Sequence, residues 1–215
     1  MPDAQGIWTF DDEDDLLANS GSVEHLLTPG VIEGKAVFAA TLEGAGIEQV
    51  EGPAEDNKAI FLPKTSMFDL EYATPYDDKV SNYTIMYDLR VSKIGFNALL
   101  QPNLENDSDA MFFINEKGYI GHFASGNWGY AGQIIVNTWH RVVITVTDGV
   151  PNAYIDGVLV TPGKNDFKGA WLLDPERTFL FCDNDGECLD TEVAEIRFWN
   201  VPLTDNEVLT LGKVK

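Results

Sequence analysis

A two-residue rhythm of apolar side chains, repeated in short segments along the chain, constrains the fold more than any other feature. In NYTIMYDLRV, Tyr83, Ile85, Tyr87, Leu89 and Val91 share one face, while Thr84, Asp88 and Arg90 share the other. That is the pattern of a half-buried strand. TWHRVVITVTD repeats it with Val142, Ile144 and Val146, and EVAEIRFW with Ala194, Ile196 and Phe198. AMFFI and YIGHF, joined by the tight turn NEKG, read as a hairpin, and RTFLFC as a further strand. In NAYIDGVLV the Asp156-Gly157 pair lies between apolar arms. A two-residue type I′ turn, which needs positive φ at both central positions, fits there. GIWTF, KAVFAA and NKAIFLP look like strands among long loops, and DDEDDLL like a loop or a short helical turn.

One helix is expected, at the end. In LTDNEVLTLG, Thr204 and Glu207 form a capping box, Leu203 and Val208 a hydrophobic staple, and Gly212 the stop. Many short strands with no strand–helix–strand alternation imply an all-β antiparallel sandwich or barrel. No repeat, low-complexity tract or linker divides the 215 residues, so residues 1–215 read as one domain. Twelve Phe, seven Tyr and five Trp are enough to fill its core.

Charge narrows the partners. Asp and Glu number 35 against 14 Lys and Arg, a formal net charge of -21. Such a surface repels phosphate backbones and anionic membranes, so neither nucleic acid nor membrane insertion is expected. No apolar run reaches the roughly 20 residues of a bilayer span, and MPDAQGIWTF lacks the features of a secretory signal. Cys182 and Cys188 read equally as a small-loop disulfide or as free thiols.

GIWTFDDEDDLL, NKAIFLPKTSMFDLEY, SNYTIMYDLRV, NTWHRVVITV, AYIDGVLV, FLFCDNDGE and VAEIRFWNVPLTDNEVLTLG come in one order along nearly the whole chain. This order resembles the laminin-G-like (concanavalin A-like) domains of bacterial, Bacteroidetes-type, secreted and surface proteins. The resemblance implies a two-sheet jelly-roll sandwich with a short C-terminal helix, often with a structural calcium ion. It also implies an extracytoplasmic setting and a role in binding glycans or other cell-surface ligands. Many such domains carry an Asp just before the Glu of the E-[VI]-R strand, and here that place is Ala194.

Three places carry candidate chemistry. Asp183, Asp185 and Glu187 alternate in a turn with Gly186, and such oxygens can hold calcium at about 2.3–2.6 Å; the same residues also suit a polar hairpin turn. The run Asp11–Asp15 is solvated or cation-neutralised, and pairing of the terminal strands would bring it towards Asp183–Glu187. Gln101, Asn103, Asn106, Asp107 and Asp109, with Trp128 and Tyr130, flank the AMFFI–YIGHF hairpin. Sugar recognition needs a flat aromatic for the apolar ring face, with amides and carboxylates for the hydroxyls. Trp128 sits among Gly126, Asn127 and Gly129, which suits a loop and an exposed stacking ring; the other reading folds it back over the core. Trp8, Trp139 and Trp199 read as core or sheet-covering residues, while Trp171 is ambiguous.

A catalytic reading is weaker. Laminarinase-type hydrolases of this fold place two Glu and an Asp alternately on one strand. In the nearest match, Cys188-Leu189-Asp190-Thr191-Glu192, Cys188 replaces the first Glu. No serine elbow or phosphate-cradling glycine loop is present. The expectation is a non-catalytic binding module for carbohydrate; the alternatives are a glycoside hydrolase or lyase, or an adhesive spacer without a small ligand.

Overall fold

A computed structural model describes residues 1–33, 36–39, 41–102, 111–121, 130–161, 169, 171–181, 183 and 186–215. In chain order the elements begin β1 (Gly6–Trp8), β2 (Leu26–Glu33), β3 (Ala36–Ala39), α1 (Leu42–Ala45), β4 (Glu48–Glu51), β5 (Lys58–Leu62) and β6 (Ser66–Glu71). Next come β7 (Tyr83–Val91), β8 (Asn97–Gln101), β9 (Phe112–Ile114), β10 (Ile120–Gly121), β11 (Tyr130–Ala131) and β12 (His140–Thr147). β13 (Val150–Ile155), β14 (Val158–Thr161), β15 (Arg177–Leu180), β16 (Thr191–Trp199) and α2 (Asp205–Leu211) complete the chain.

The strands form two antiparallel sheets. Sheet A runs β14-β13-β12-β7-β16-β5-β4, with β1 beside the second half of β16. Sheet B runs β11-β10-β9-β8-β15-β6-β2-β3. The expected hairpin is β9–β10, with Ile114 opposite Ile120. The β13–β14 turn has Asp156 at φ 53° and Gly157 at φ 81°, the double positive φ that its sequence calls for.

Between the sheets, Tyr83, Ile85, Tyr87, Leu89 and Val91 of β7 meet Leu99, Leu100, Phe112 and Leu180 of sheet B, with Trp8 and Trp171 in the same cluster. Two buried hydroxyls cross the gap: Tyr83 donates to the Trp171 carbonyl at 2.8 Å and Tyr87 to that of Leu99 at 3.1 Å. Bonding satisfies groups that would otherwise be stranded in an apolar core.

The structure corrects or decides the sequence reading in several places. β7 is buried on both faces, because Thr84, Met86 and Asp88 are covered as completely as the core residues. β16 does not keep Ala194 in phase with Ile196 and Phe198. A bulge between Val193 and Glu195 shifts the register, so Val193 faces the core with Ile196 and Phe198 while Ala194 lines an outer cleft. Of the two readings of DDEDDLL, the loop is the one found, with a turn at its end. α1, a single turn that the sequence reading did not foresee, is capped by Thr41.

α2 has the expected capping box, and Gly212 ends it. It lies on the outer face of sheet A, where Leu203 and Val208 join Met86, Val143, Tyr154 and Trp199 in a second apolar cluster. Tyr154 also hydrogen-bonds Asp205 at 2.7 Å, and Arg141 donates to the Leu211 carbonyl at 2.7 Å.

Candidate functional site

Beyond α2, among the described residues, the outer face of sheet A is partly exposed. Strand register sets four residues side by side across it. Trp139, just before β12, continues the pairing of His140 with Leu89 and so meets Arg90 of β7. Arg90 pairs with Glu192 of β16, and Glu192 pairs with Phe61 of β5. Alternation turns all four outward, because His140, Leu89, Val193, Ile60 and Leu62 take the inner side. The Arg90 guanidinium lies over the Trp139 ring, 4.9 Å from its centroid, and Nε binds the Glu192 carboxylate. Arg90 and Glu192 are 33% and 26% exposed, and both rings are half-buried.

One step along the same strands lies a cleft of about 410 Å³, lined by Asp11, Asn57, Lys58, Asp88, Arg141, Glu195 and Arg197 among others. Its floor is an ion network. Arg141 grips Asp88 with Nε to Oδ1 at 2.7 Å and Nη2 to Oδ2 at 2.5 Å, and Nη2 also reaches Glu195 Oε2 at 3.4 Å. Arg197 Nε holds Glu195 Oε1 at 2.6 Å. Burial pushes both carboxyls above the usual range, and the guanidinia pull them back. Every oxygen of the two carboxylates is engaged by an arginine. A hydrolase needs one carboxylate free to attack and one free to give a proton; these two are free for neither. Lys58 is drawn to Glu51 at 2.9 Å, and its N–H donates to Asp11 Oδ1 at 2.8 Å.

The residues that the sequence nominated fall elsewhere. β8 ends at Gln101 and β10 at Gly121 on the same end of sheet B. The segments that begin there hold Asn103, Asn106, Asp107, Asp109 and Trp128, all outside the described residues. Tyr130 opens β11, opposite Gly121. Gln101 is fully buried, so its amide faces protein and is not presented to a ligand in solution.

The acidic turn is at the opposite end of sheet B, where the Ala98 N–H donates to the Glu187 carbonyl at 2.8 Å. Asp183 is fully buried and Glu187 half-buried, while Asp185 lies outside the described residues. Cys188 is a free, buried thiol. Burial pushes it up to about 11, although the Asp183 main chain hydrogen-bonds it. Among the described residues no three His, Cys, Asp or Glu side chains are grouped to hold a metal ion. Asp11 sits beside Lys58, at the start of β5, whereas Lys64, just past its end, bonds Asp190 near the acidic turn. The two acidic segments therefore lie towards opposite ends of β5 and do not approach one another as expected.

Trp8, Trp171 and Trp199 are buried, which settles the ambiguous Trp171 as core. Trp139 covers the sheet as expected, yet it remains half-open. The importance of Trp139, Arg90, Glu192 and Phe61 together escaped the sequence reading. Alternation alone marks each as outward, but only the pairing of four strands sets them in a row. No described helix is long and apolar enough to cross a membrane.

No curated protein matches the chain in sequence. Solved structures do. Domain 4 of AbnA, a GH43 extracellular arabinanase from Geobacillus stearothermophilus, in complex with arabinotriose, superposes with a TM-score of 0.68 at 16% identity. That match covers 97% of this chain and 98% of that one. Trypanosoma rangeli sialidase in complex with sialic acid matches with a TM-score of 0.59 at 15% identity, over 90% of this chain and 33% of the sialidase. The binding domain of Paraclostridial Mosquitocidal Protein 1 matches with a TM-score of 0.53 at 17% identity, over 86% of this chain and 51% of that one. The chain thus spans about a third of the sialidase and about half of the toxin domain. These likenesses establish a shared sandwich. The family model of the laminin-G-like group matches residues 80–209, well over half the chain, which therefore belongs to the concanavalin A-like lectin/glucanases superfamily.

Proposed function

We propose that this chain is a non-catalytic carbohydrate-binding module of an extracytoplasmic protein. The observation that carries the reading is the end-to-end superposition on domain 4 of the arabinanase, a domain described in complex with arabinotriose. Family membership points the same way. The engagement of Asp88 and Glu195 by arginines supports binding over hydrolysis, since it removes the carboxylate pair of the outer cleft from acid–base work.

The proposed ligand contact is made by Asn103, Asp107, Asp109, Trp128 and Tyr130, from the segments that follow β8 and β10 in the chain. Trp128 supplies the ring face, while the amides and carboxylates bond hydroxyls. A calcium ion at Asp183, Asp185 and Glu187 belongs to the same proposal, as a support for the fold and not as a ligand contact.

Affinity electrophoresis against neutral polysaccharides, arabinan among them, tests the reading. The protein is retarded by at least one polysaccharide, and Trp128→Ala weakens the retardation. A protein that migrates identically in every gel is not a carbohydrate-binding module. Repeating the gels with calcium and then with chelator reports on the ion: unchanged migration and melting temperature remove calcium from the account.

A further inference from the structure

We infer that the open half of the outer face of sheet A is a second glycan-binding face, distinct from the end of sheet B, and that it takes an extended, neutral polysaccharide. The inference rests on the carbohydrate-binding reading and adds to it a place and a ligand class.

Trp139 and Phe61 mark the two ends of the face. Three strand spacings separate them, about 14 Å at about 4.8 Å each, which is too far for one sugar ring and suits an oligosaccharide lying across the strands. Both rings are half-open. Neither packs into any hydrophobic cluster of the described residues, so neither is explained by the core. Aromatic residues are enriched in binding interfaces relative to the rest of a protein surface.

Between the rings stand a donor and an acceptor. Among the described residues Arg90 donates only through Nε, to Glu192. Its Nη hydrogens and the rest of the Glu192 carboxylate are at hand for hydroxyls. The pair is held in place at both ends: the guanidinium is stacked on Trp139, and the carboxylate is fixed to the guanidinium. Binding then orders few side chains and loses little entropy. One step away the 410 Å³ cleft adds the Asn57 amide to the same surface, while the Lys58 ammonium there is paired with Glu51 and the Thr210 hydroxyl donates to the Asn206 carbonyl.

Charge selects among glycans. With a net charge of -21, the domain repels polyuronates and sialylated chains. Stacking and hydroxyl bonding carry no such penalty for a neutral polymer.

The test uses the whole chain with Phe61→Ala, Trp139→Ala, Glu192→Gln and Trp128→Ala, each checked by thermal melting. Gels contain arabinan, xylan, mannan, mixed-linkage β-glucan or polygalacturonate. Phe61→Ala and Trp139→Ala each weaken retardation by a neutral polysaccharide roughly tenfold, the fold-change of one lost favourable contact. Trp128→Ala leaves that contact standing, so part of the retardation persists. Polygalacturonate does not retard the protein at low salt. Wild-type retardation by both Phe61→Ala and Trp139→Ala overturns the face while leaving the carbohydrate reading intact. Absence of retardation for the unaltered chain overturns the carbohydrate reading first. Phe61 lies outside the hydrophobic clusters of the described residues, so Phe61→Ala remains informative even where Trp139→Ala melts early.

Discussion

The two halves of the outer face of sheet A share strands and differ in almost everything else. Along β7, three outward residues two positions apart meet three fates. Met86 is fully buried beneath α2, with Val143, Tyr154 and Trp199. Asp88 is buried too, but in the grip of Arg141. Arg90 is one-third exposed, over Trp139. The backbone is the same continuous strand throughout. What changes is the cover: a helix over Met86, the end of that helix over Asp88, nothing described over Arg90. The lesson is that a strand's second face takes its chemistry from what lies above it. A charge survives beneath the cover only where a partner of opposite charge is set against it.

Asp88→Ala should have the largest effect on this contrast. It removes the bidentate partner of the Arg141 guanidinium, which keeps only Glu195 and the Leu211 carbonyl, and breaking a buried pair costs up to about 3–5 kcal/mol. The urea midpoint reads the loss; a loss below about 1 kcal/mol would mean that the boundary is wet and belongs with the open half. Leu203→Ala comes next. It removes a buried anchor of α2 and should cost about 2–4 kcal/mol, with faster amide exchange confined to α2 and the strands beneath it. If exchange rises equally over Arg90 and Glu192, the halves are not independent. Thr204→Ala removes the cap of α2 and should cost about 1 kcal/mol, without moving any binding to the open half. The smallest effect on stability belongs to Phe61→Ala, below about 1 kcal/mol, since its ring is only half-buried. A loss of about 2 kcal/mol or more would place the Phe61 ring in the core and not on the face.

Much of the fold was legible, for reasons that particular residues make plain. Alternation in Tyr83–Val91 and Val142–Val146 marked the core face correctly, because a strand buries every second side chain whatever its neighbours. Asp156-Gly157 and the Thr204–Glu207 box were legible because turns and caps are local chemistry. α1 was not, because one helical turn has too few residues for a period. Ala194 was misplaced because a bulge depends on the partner strand. The second face of β7 was misjudged because Thr84 and Asp88 look solvated until Val201, Leu203 and Arg141 are brought to them.

The candidate site was less legible than the fold. The sequence pointed to Trp128 and the acidic turn through local composition, which detects loops well. It passed over Trp139, Arg90, Glu192 and Phe61, which lie far apart in the chain and are ordinary one by one. By itself the sequence determined the central strands and their inner faces up to the β16 bulge, the β9–β10 and β13–β14 turns and the terminal helix, since each follows from interactions within a few residues; β2, β4 and β6 it passed over among the early loops. Only the tertiary structure decided which strands stand side by side, where α2 comes to rest, and therefore which outward residues are buried and which remain open. Those outcomes are set by contacts between residues distant in sequence, and no short window of the chain contains both partners.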